Sequence, residues 1–353
     1  MTELSPLIAV LTASFDWHGA RMTFVAQFLA ALIRVRTVNL AEIATVFCGD
    51  AKSESHYRRI QRFFKDFSLA RAPVIGVITR LLPLGEQWIL CLDRTNGPFG
   101  SVNINILVLA VAYKGVAVPL LWMLLDKRGN SHTSERLALL KHFWVELGHD
   151  RIRCLTADRE CIGTDWIKFL KRHRIHFRIR IRHNTNLCNS RNTCALPASR
   201  FFRHLPLGEA SVLPTPRRVG GMRGWIIGVR LKDDDLILST DHQPHTALDD
   251  YRQRWQIETL FGCLKRRGFD FEATHLTDPE RISKLLVLLT LAFCWCSRLG
   301  EWQHDQKPIP VKKHGRPAKR LFRHGLDKLR NIVSNLAVKE PEFFWATTFL
   351  VST

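Results

Sequence analysis

Three carboxylates stand where a protein could put them to chemical use. Asp93 closes the apolar segment Ile89-Leu90-Cys91-Leu92, and Asp158 closes Leu155-Thr156-Ala157. An apolar strand ending in a carboxylate lifts that group to the rim of its sheet, where ligand and metal sites collect. One such aspartate mostly caps a turn, whereas two on neighbouring strands are a stronger signal. The third acid, Glu258, lies in a helical pattern from Thr246 to about Arg267, opened by a capping-box-like pair, Thr246 and Asp249. At about 100° per residue, Tyr251, Arg254, Glu258 and Lys265 project within roughly 60° of one another. Trp255 flanks this stripe, and Ile257, Leu260, Phe261 and Leu264 lie on the apolar side. A stripe with one acid among cations could be a surface salt-bridge ladder. With two strand-end aspartates nearby, Glu258 instead supplies the third oxygen ligand that a pair of hard divalent cations needs. Asp241, after Leu236–Thr240, is the rival for that place and lacks the cationic stripe.

A mixed α/β chain must position these groups. Trp88–Leu92 reads as a strand, Asn105–Tyr113 and Val116–Leu124 as a hairpin around Lys114-Gly115, and Ser134–Leu147 as a helix with Ser134 at its N-cap. Ile152–Ala157, Thr164–Arg172 and His176–Arg182 read as strand, helix, strand. In the last of these Phe177, Ile179 and Ile181 point one way and Arg178, Arg180 and Arg182 the other. Those arginines suit either a phosphate-backbone track or an edge strand blunted by charge. Before them, residues 1–80 read as helical. The basic stretch His56–Phe67, carrying Arg58, Arg59, Arg62 and Lys65 after the polar break Gly49–Ser55, fits a helix-turn-helix or a structural hairpin with a solvated face. The segments are thus 1–80 helical; 86–182 and 246–300 as two parts of one core; 183–245 a β-rich insertion; and 301–353 a basic, Pro-punctuated arm, including Lys312-Lys313-His314-Gly315-Arg316-Pro317, with a short helix.

Charge sets the class of partner. The 353 residues hold 52 Lys+Arg against 32 Asp+Glu, a formal net charge of +20, and a polyanion such as nucleic acid is the expected partner. An apolar content of 46% excludes bulk disorder. The apolar run Leu285–Ser297 is short of the ~20 residues of a membrane span, and no signal peptide is evident. Nine cysteines are scattered, with Cys188 and Cys194 too far apart for a zinc pair. Free thiols in a reducing cytoplasm are expected.

Together these residues become recognisable. The spacing Tyr251-x-x-Arg254-x-x-x-Glu258-x-x-x-x-x-x-Lys265 resembles the Y-R-E-K signature of bacterial insertion-sequence transposases of the DDE type, in the insertion-sequence-four group. Asp158-Arg159-Glu160 looks like that group's second-acid motif and Leu92-Asp93-Arg94-Thr95 its first. Gly268-Phe269-Asp270-Phe271-Glu272-Ala273-Thr274-His275 is similar to the usual continuation, so the resemblance spans roughly residues 35–300.

The resemblance implies an α/β, ribonuclease-H-like fold. Its mixed five-stranded sheet would have flanking helices, a β-rich insertion before the third acid and an N-terminal helical DNA-binding region. It implies a transposase that binds the terminal inverted repeats of its element and carries out cut-and-paste transposition. Asp93, Asp158 and Glu258 would be catalytic and would hold two Mg²⁺ ions, with Mn²⁺ able to substitute. Tyr251, Arg254 and Lys265 would grip DNA, joined by Trp255, Arg180 and Arg182, and by Arg58, Arg59 and Arg62 of the N-terminal helices. The partners implied are the element's own ends and target DNA, with a homodimer forming on DNA, no membrane and no small-molecule substrate. The expected location is the bacterial cytoplasm, at the nucleoid. Two alternatives stay open: a catalytically silent DNA-binding protein derived from a transposase, and a ribonuclease-H-like nuclease that does not transpose.

Overall fold

A computed structural model describes residues 3–69, 71–99, 102–189, 195–313 and 315–350; Cys194 and His314, weighed above, lie outside them. Five helices come first: α1 (Ser5–Ser14), α2 (Gly19–Val35), α3 (Leu40–Thr45), α4 (Ser53–Asp66) and α5 (Arg71–Leu81). Then follow β1 (Trp88–Phe99), β2 (Val102–Tyr113), β3 (Val116–Leu125), α6 (Thr133–Leu147), β4 (Ile152–Ala157), α7 (Thr164–Arg172) and β5 (Phe177–Ile181). The next stretch holds β6 (Asn186–Cys188), β7 (Ala195–Pro197), β8 (Ala210–Val212), β9 (Arg217–Val219), β10 (Met222–Val229) and β11 (Leu236–Thr240). Helices α8 (Ala247–Arg252), α9 (Trp255–Leu264), α10 (Pro279–Gln306), α11 (Leu321–Ser334) and α12 (Glu340–Thr347) complete the chain.

Two compact units emerge. One comprises Met1–Pro83, Asn96–Ile104 and Leu260–Thr353, the other Leu84–Thr95 and Asn105–Thr259. Each unit thus combines segments distant in sequence.

The second unit is built on a mixed sheet with the strand order β3-β2-β1-β4-β5-β11-β10-β9-β6-β7, and β8 pairs with β10. β2 and β3 are antiparallel, β1, β4 and β5 run parallel, and β11 returns antiparallel beside β5. The insertion therefore extends the sheet past the five strands expected, because β11 pairs antiparallel with β5 and β10 with β11. Lys114 and Gly115 both take positive φ (44° and 87°), the geometry that a two-residue hairpin loop needs to match strand twist. α6 begins after His132 rather than at Ser134: the His132 backbone N–H donates to Glu135, which satisfies an otherwise orphaned donor.

The segment expected as one helix from Thr246 to Arg267 is two. From Gln253 to Ile257 the backbone bonds shorten to i−3 acceptors: Gln253 N–H to Asp250, Arg254 to Tyr251, Gln256 to Gln253 and Ile257 to Arg254. Such a tightened turn rotates side chains away from the ideal helical wheel. The Thr246 side chain caps nothing at the start of α8.

The first unit is helical. α2 is buried on nearly every side, from Phe24 through Ile33, and stops at Arg36, whose left-handed φ of 62° turns its N–H onto Leu32 O. α10 opens on Asp278, which accepts from Arg281 N, with Pro279 pre-set for the first turn. It is long and apolar enough to cross a membrane, yet 89% of its most apolar window is buried within the protein. Against it lies α11, which follows the basic, Pro-punctuated stretch. A Cβ on Gly300 would fall 1.9 Å from Leu321 O, and one on Gly325 1.8 Å from Cys296 O, so the two helices touch backbone to backbone only because both residues are glycine. Phe322, Leu326, Leu329, Ile332 and Val333 form the buried face of α11. Among the described residues, α11 and α12 follow the basic, Pro-punctuated stretch, with α11 packed against α10.

Candidate active site

The site lies in the sheet-bearing unit, where the parallel ladder between β1 and β4 runs out. The last paired residues are Leu92 and Ala157; Asp93 and Asp158 are the next residues on the two chains. β1 itself continues to Phe99 beside β2, so Asp93 ends the pairing with β4 and not the strand. After Asp158 the chain turns into a short 3₁₀ helix, Arg159–Cys161.

Arg254, between α8 and α9, gathers the acids. Its Nη1 donates to Asp93 Oδ2 at 2.7 Å and its Nη2 to Glu258 Oε1 at 2.7 Å. Burial works against its charge, but Tyr251, Asp93, Asp158 and Glu258 outweigh that, and the guanidinium is held charged above its usual range. Burial pushes the Asp93 carboxyl up to about 6. Arg254 and the Arg94 N–H pull it down, while the charges of Asp158 and Glu160 add to the rise. The Asp158 atom Oδ1 is buried and has no hydrogen-bond partner. Glu258 is half-exposed, at 53%.

Among the described residues, no group of three His, Cys, Asp or Glu side chains stands arranged to hold a metal ion; Arg254 bonds both Asp93 and Glu258. The donor chemistry nevertheless fits a hard divalent cation: three carboxylates, one with an unpartnered buried oxygen.

The remaining expected residues fall in several places. Tyr251 is 1% exposed, packed with Ile227, Leu236, Leu238 and Ala247; burial pushes its hydroxyl up to about 12. Trp255 is exposed, at 48%. Lys265 lies just past α9 in the helical unit, paired with Glu272 at 2.8 Å and bonded to Asn96 O. β5 is flanked by β4 and β11 and is no edge strand. Arg178 is buried against Asp250 at 3.1 Å, Arg180 pairs with Asp234 at 2.8 Å, and Arg182 is exposed. Both oxygens of the rival acid Asp241 are engaged, by the His176 ring and the Phe177 N–H.

In the helical unit, Arg58 and Arg62 of α4 are exposed and line a groove of about 850 Å³ with Asn39, Tyr57, Gln61, Lys65, His275 and Arg281. Arg59 turns away from it: its guanidinium bonds Gln27 Oε1 at 2.9 Å and lies over the rings of Phe24 and Phe47. Sequence reasoning passed over His275 and Arg281, which only folding brings to α4. It gave Arg94 and Glu160 no role beyond membership of the two acid motifs; the one available signal was that they sit there with opposite charge.

Residues 92–295 match the family model described as Transposase DDE domain, and the chain belongs to that family. It is accordingly a transposase, an enzyme of DNA cleavage and strand transfer, from a family whose members generally use divalent metal ions. No curated protein matches the chain. A solved piggyBac transposase synaptic complex with hairpin DNA is similar at 12% identity, covering 97% of this chain and 79% of its own, with a TM-score of 0.44, a likeness too weak to carry an argument.

Proposed function

We propose that this chain is the transposase of a bacterial insertion sequence of the insertion-sequence-four group. It binds the terminal inverted repeats of its element, brings two ends together as a homodimer, and cuts and rejoins them by cut-and-paste transposition. The observation that carries this reading is the convergence of acids: Arg254 touches Asp93 and Glu258 at once, and Asp158 follows the last residue paired to the strand of Asp93.

Asp93, Asp158 and Glu258 would hold two Mg²⁺ ions. When bound, such ions lower the pKa of a water or a DNA 3′-hydroxyl and stabilise the leaving oxygen of an in-line displacement. Arg254 fixes the directions of Asp93 and Glu258 and offers a second ligand to a phosphate, since a planar guanidinium can bond both kinds of oxyanion. Trp255, exposed one turn before Glu258, presents an aromatic face on which an unpaired base can stack. The strand order β3-β2-β1-β4-β5, with its mixture of parallel and antiparallel pairs, supports a ribonuclease-H-like core. End recognition falls to α3 and α4 as a helix-turn-helix, supported by the basic groove along Arg58, Arg62 and Lys65. Eight described cysteines are free thiols, as suits the bacterial cytoplasm.

Incubating the protein with DNA carrying the element's own ends and Mg²⁺, and mapping the products on a gel, tests this. Nicks at the ends and a strand-transfer product are expected, both lost in Glu258→Gln while DNA binding persists. Divalent-dependent nicking that survives Glu258→Gln refutes the reading. Tight binding with no cutting even in Mn²⁺ makes the protein a silent binder, and indiscriminate cutting without transfer makes it a nuclease.

A further inference from the structure

Beside the acids lies a second, separate ion-paired cluster that the proposed chemistry does not use. Arg94 follows Asp93 directly, and Glu160 stands two residues after Asp158. Arg94 Nε donates to both Glu160 oxygens at 2.9 Å, and its Nη2 donates to Oε2 at 2.7 Å. The other guanidinium contacts are also taken, Nη1 by Asn105 Oδ1 at 3.0 Å and Nη2 by Asn130 Oδ1 at 3.1 Å. Asn105, 2% exposed on β2, is itself fixed, since its amide donates to the carbonyls of Lys127 and Gly129 at 3.0 and 2.9 Å. Ser131 Oγ donates to Glu160 Oε1 at 3.2 Å. The pair is mostly enclosed, with side chains 14% and 13% exposed.

Its location is what gives it meaning. Backbone pairing between β1 and β4 stops at Leu92 and Ala157, so no ladder bond sets the separation of the residues immediately beyond. The Arg94–Glu160 fork crosses that gap, one residue past one acid and two past the other. A bidentate guanidinium–carboxylate pair fixes direction as well as distance, which a lysine could not do. As a source of stability a partly buried pair is a weak explanation. As a brace its placement is apt. Glu160 is also no spare ligand, because Arg94 and Ser131 already occupy its oxygens.

We propose that Arg94 and Glu160 are positioning residues that hold Asp93 and Asp158 at the spacing a divalent cation requires, with Asn105 as their anchor. This rests on the reading of those aspartates as metal ligands. The test is Mn²⁺ binding to the full-length protein, followed by electron paramagnetic resonance, for wild type, Arg94→Lys, Glu160→Gln, the double variant and Asp158→Asn, alongside thermal unfolding of each. Each single change is expected to weaken Mn²⁺ binding roughly 10–100-fold, as loss of outer partners of metal ligands does, and to alter the spectrum. The double variant should be no worse than the weaker single, because both changes remove one interaction. DNA affinity in EDTA should stay within twofold of wild type. Unchanged Mn²⁺ affinity in both singles overturns the proposal while leaving the acids as ligands. Wild type and Asp158→Asn binding Mn²⁺ equally poorly overturns the ligand reading beneath it. Loss of folding in both singles overturns it in favour of a plain structural role.

Discussion

Two arginine-rich segments, β5 and α4, look alike as strings of residues and end differently. Both alternate cations with apolar residues, and both could be read as tracks for a phosphate backbone. In β5 the arginines meet acids supplied by other segments: Arg178 meets Asp250 of α8, and Arg180 meets Asp234 of the turn before β11. In α4 the cations at Arg58, Arg62 and Lys65 stay exposed along a groove. A strand inside a sheet has neighbours on both sides and both faces, so its charges must be neutralised where they stand. A helix that buries one stripe leaves the other to solvent and to ligands. Charge pattern alone therefore does not tell a cation paired within the fold from one left exposed; the packing of its element does.

The largest test of this contrast is Asp250→Asn. It leaves Arg178, 2% exposed, without its buried partner, and should cost about 3–5 kcal/mol in denaturant unfolding. A loss under 1 kcal/mol would mean that β5 carries no obligatory pair. In α4, Arg58→Ala with Arg62→Ala should leave stability within about 0.5 kcal/mol but flatten the salt dependence of DNA binding by about 2 in log–log slope, one per phosphate contact. Arg59→Ala should do the reverse, losing about 1 kcal/mol of stability with its Gln27 bond and aromatic contacts while the salt slope holds. Arg180→Ala is the smallest change, roughly 0–1 kcal/mol for a half-exposed pair. A salt slope lowered by about 1 in that variant would place β5 on the DNA-binding surface.

Much of the sheet was legible because its signals are local. β4, α7 and β11 begin and end at the residues their apolar runs mark, and the Lys114-Gly115 hairpin follows from turn chemistry. The break between α8 and α9 was not, because apolar spacing of three and four residues fits an i−3 turn as well as an i−4 turn. The joining of β10 and β11 to β5 depends on pairing between distant segments. The Arg94–Glu160 brace joins residues 66 positions apart, and no periodicity encodes such a contact. A short helix after the basic stretch was expected, but the length and packing of α11 were harder to read: its apolar face follows a proline-marked stretch whose composition reads as a linker, while the glycines that let it touch α10 look like helix breakers. Of the candidate site, the residue types and the two acid motifs were readable. That Tyr251 packs into the core and that Arg254 lies between two acids required the fold.

The central claim is that Asp93, Asp158 and Glu258 work as one metal-dependent centre on DNA. Single-turnover cleavage of end-sequence DNA by Asp158→Asn, in Mg²⁺ and at saturating protein, measures this most directly. The account predicts a rate reduced by roughly a thousandfold or more, about 4 kcal/mol of transition-state stabilisation, with DNA affinity retained. Cleavage at the wild-type rate by the folded variant would contradict it.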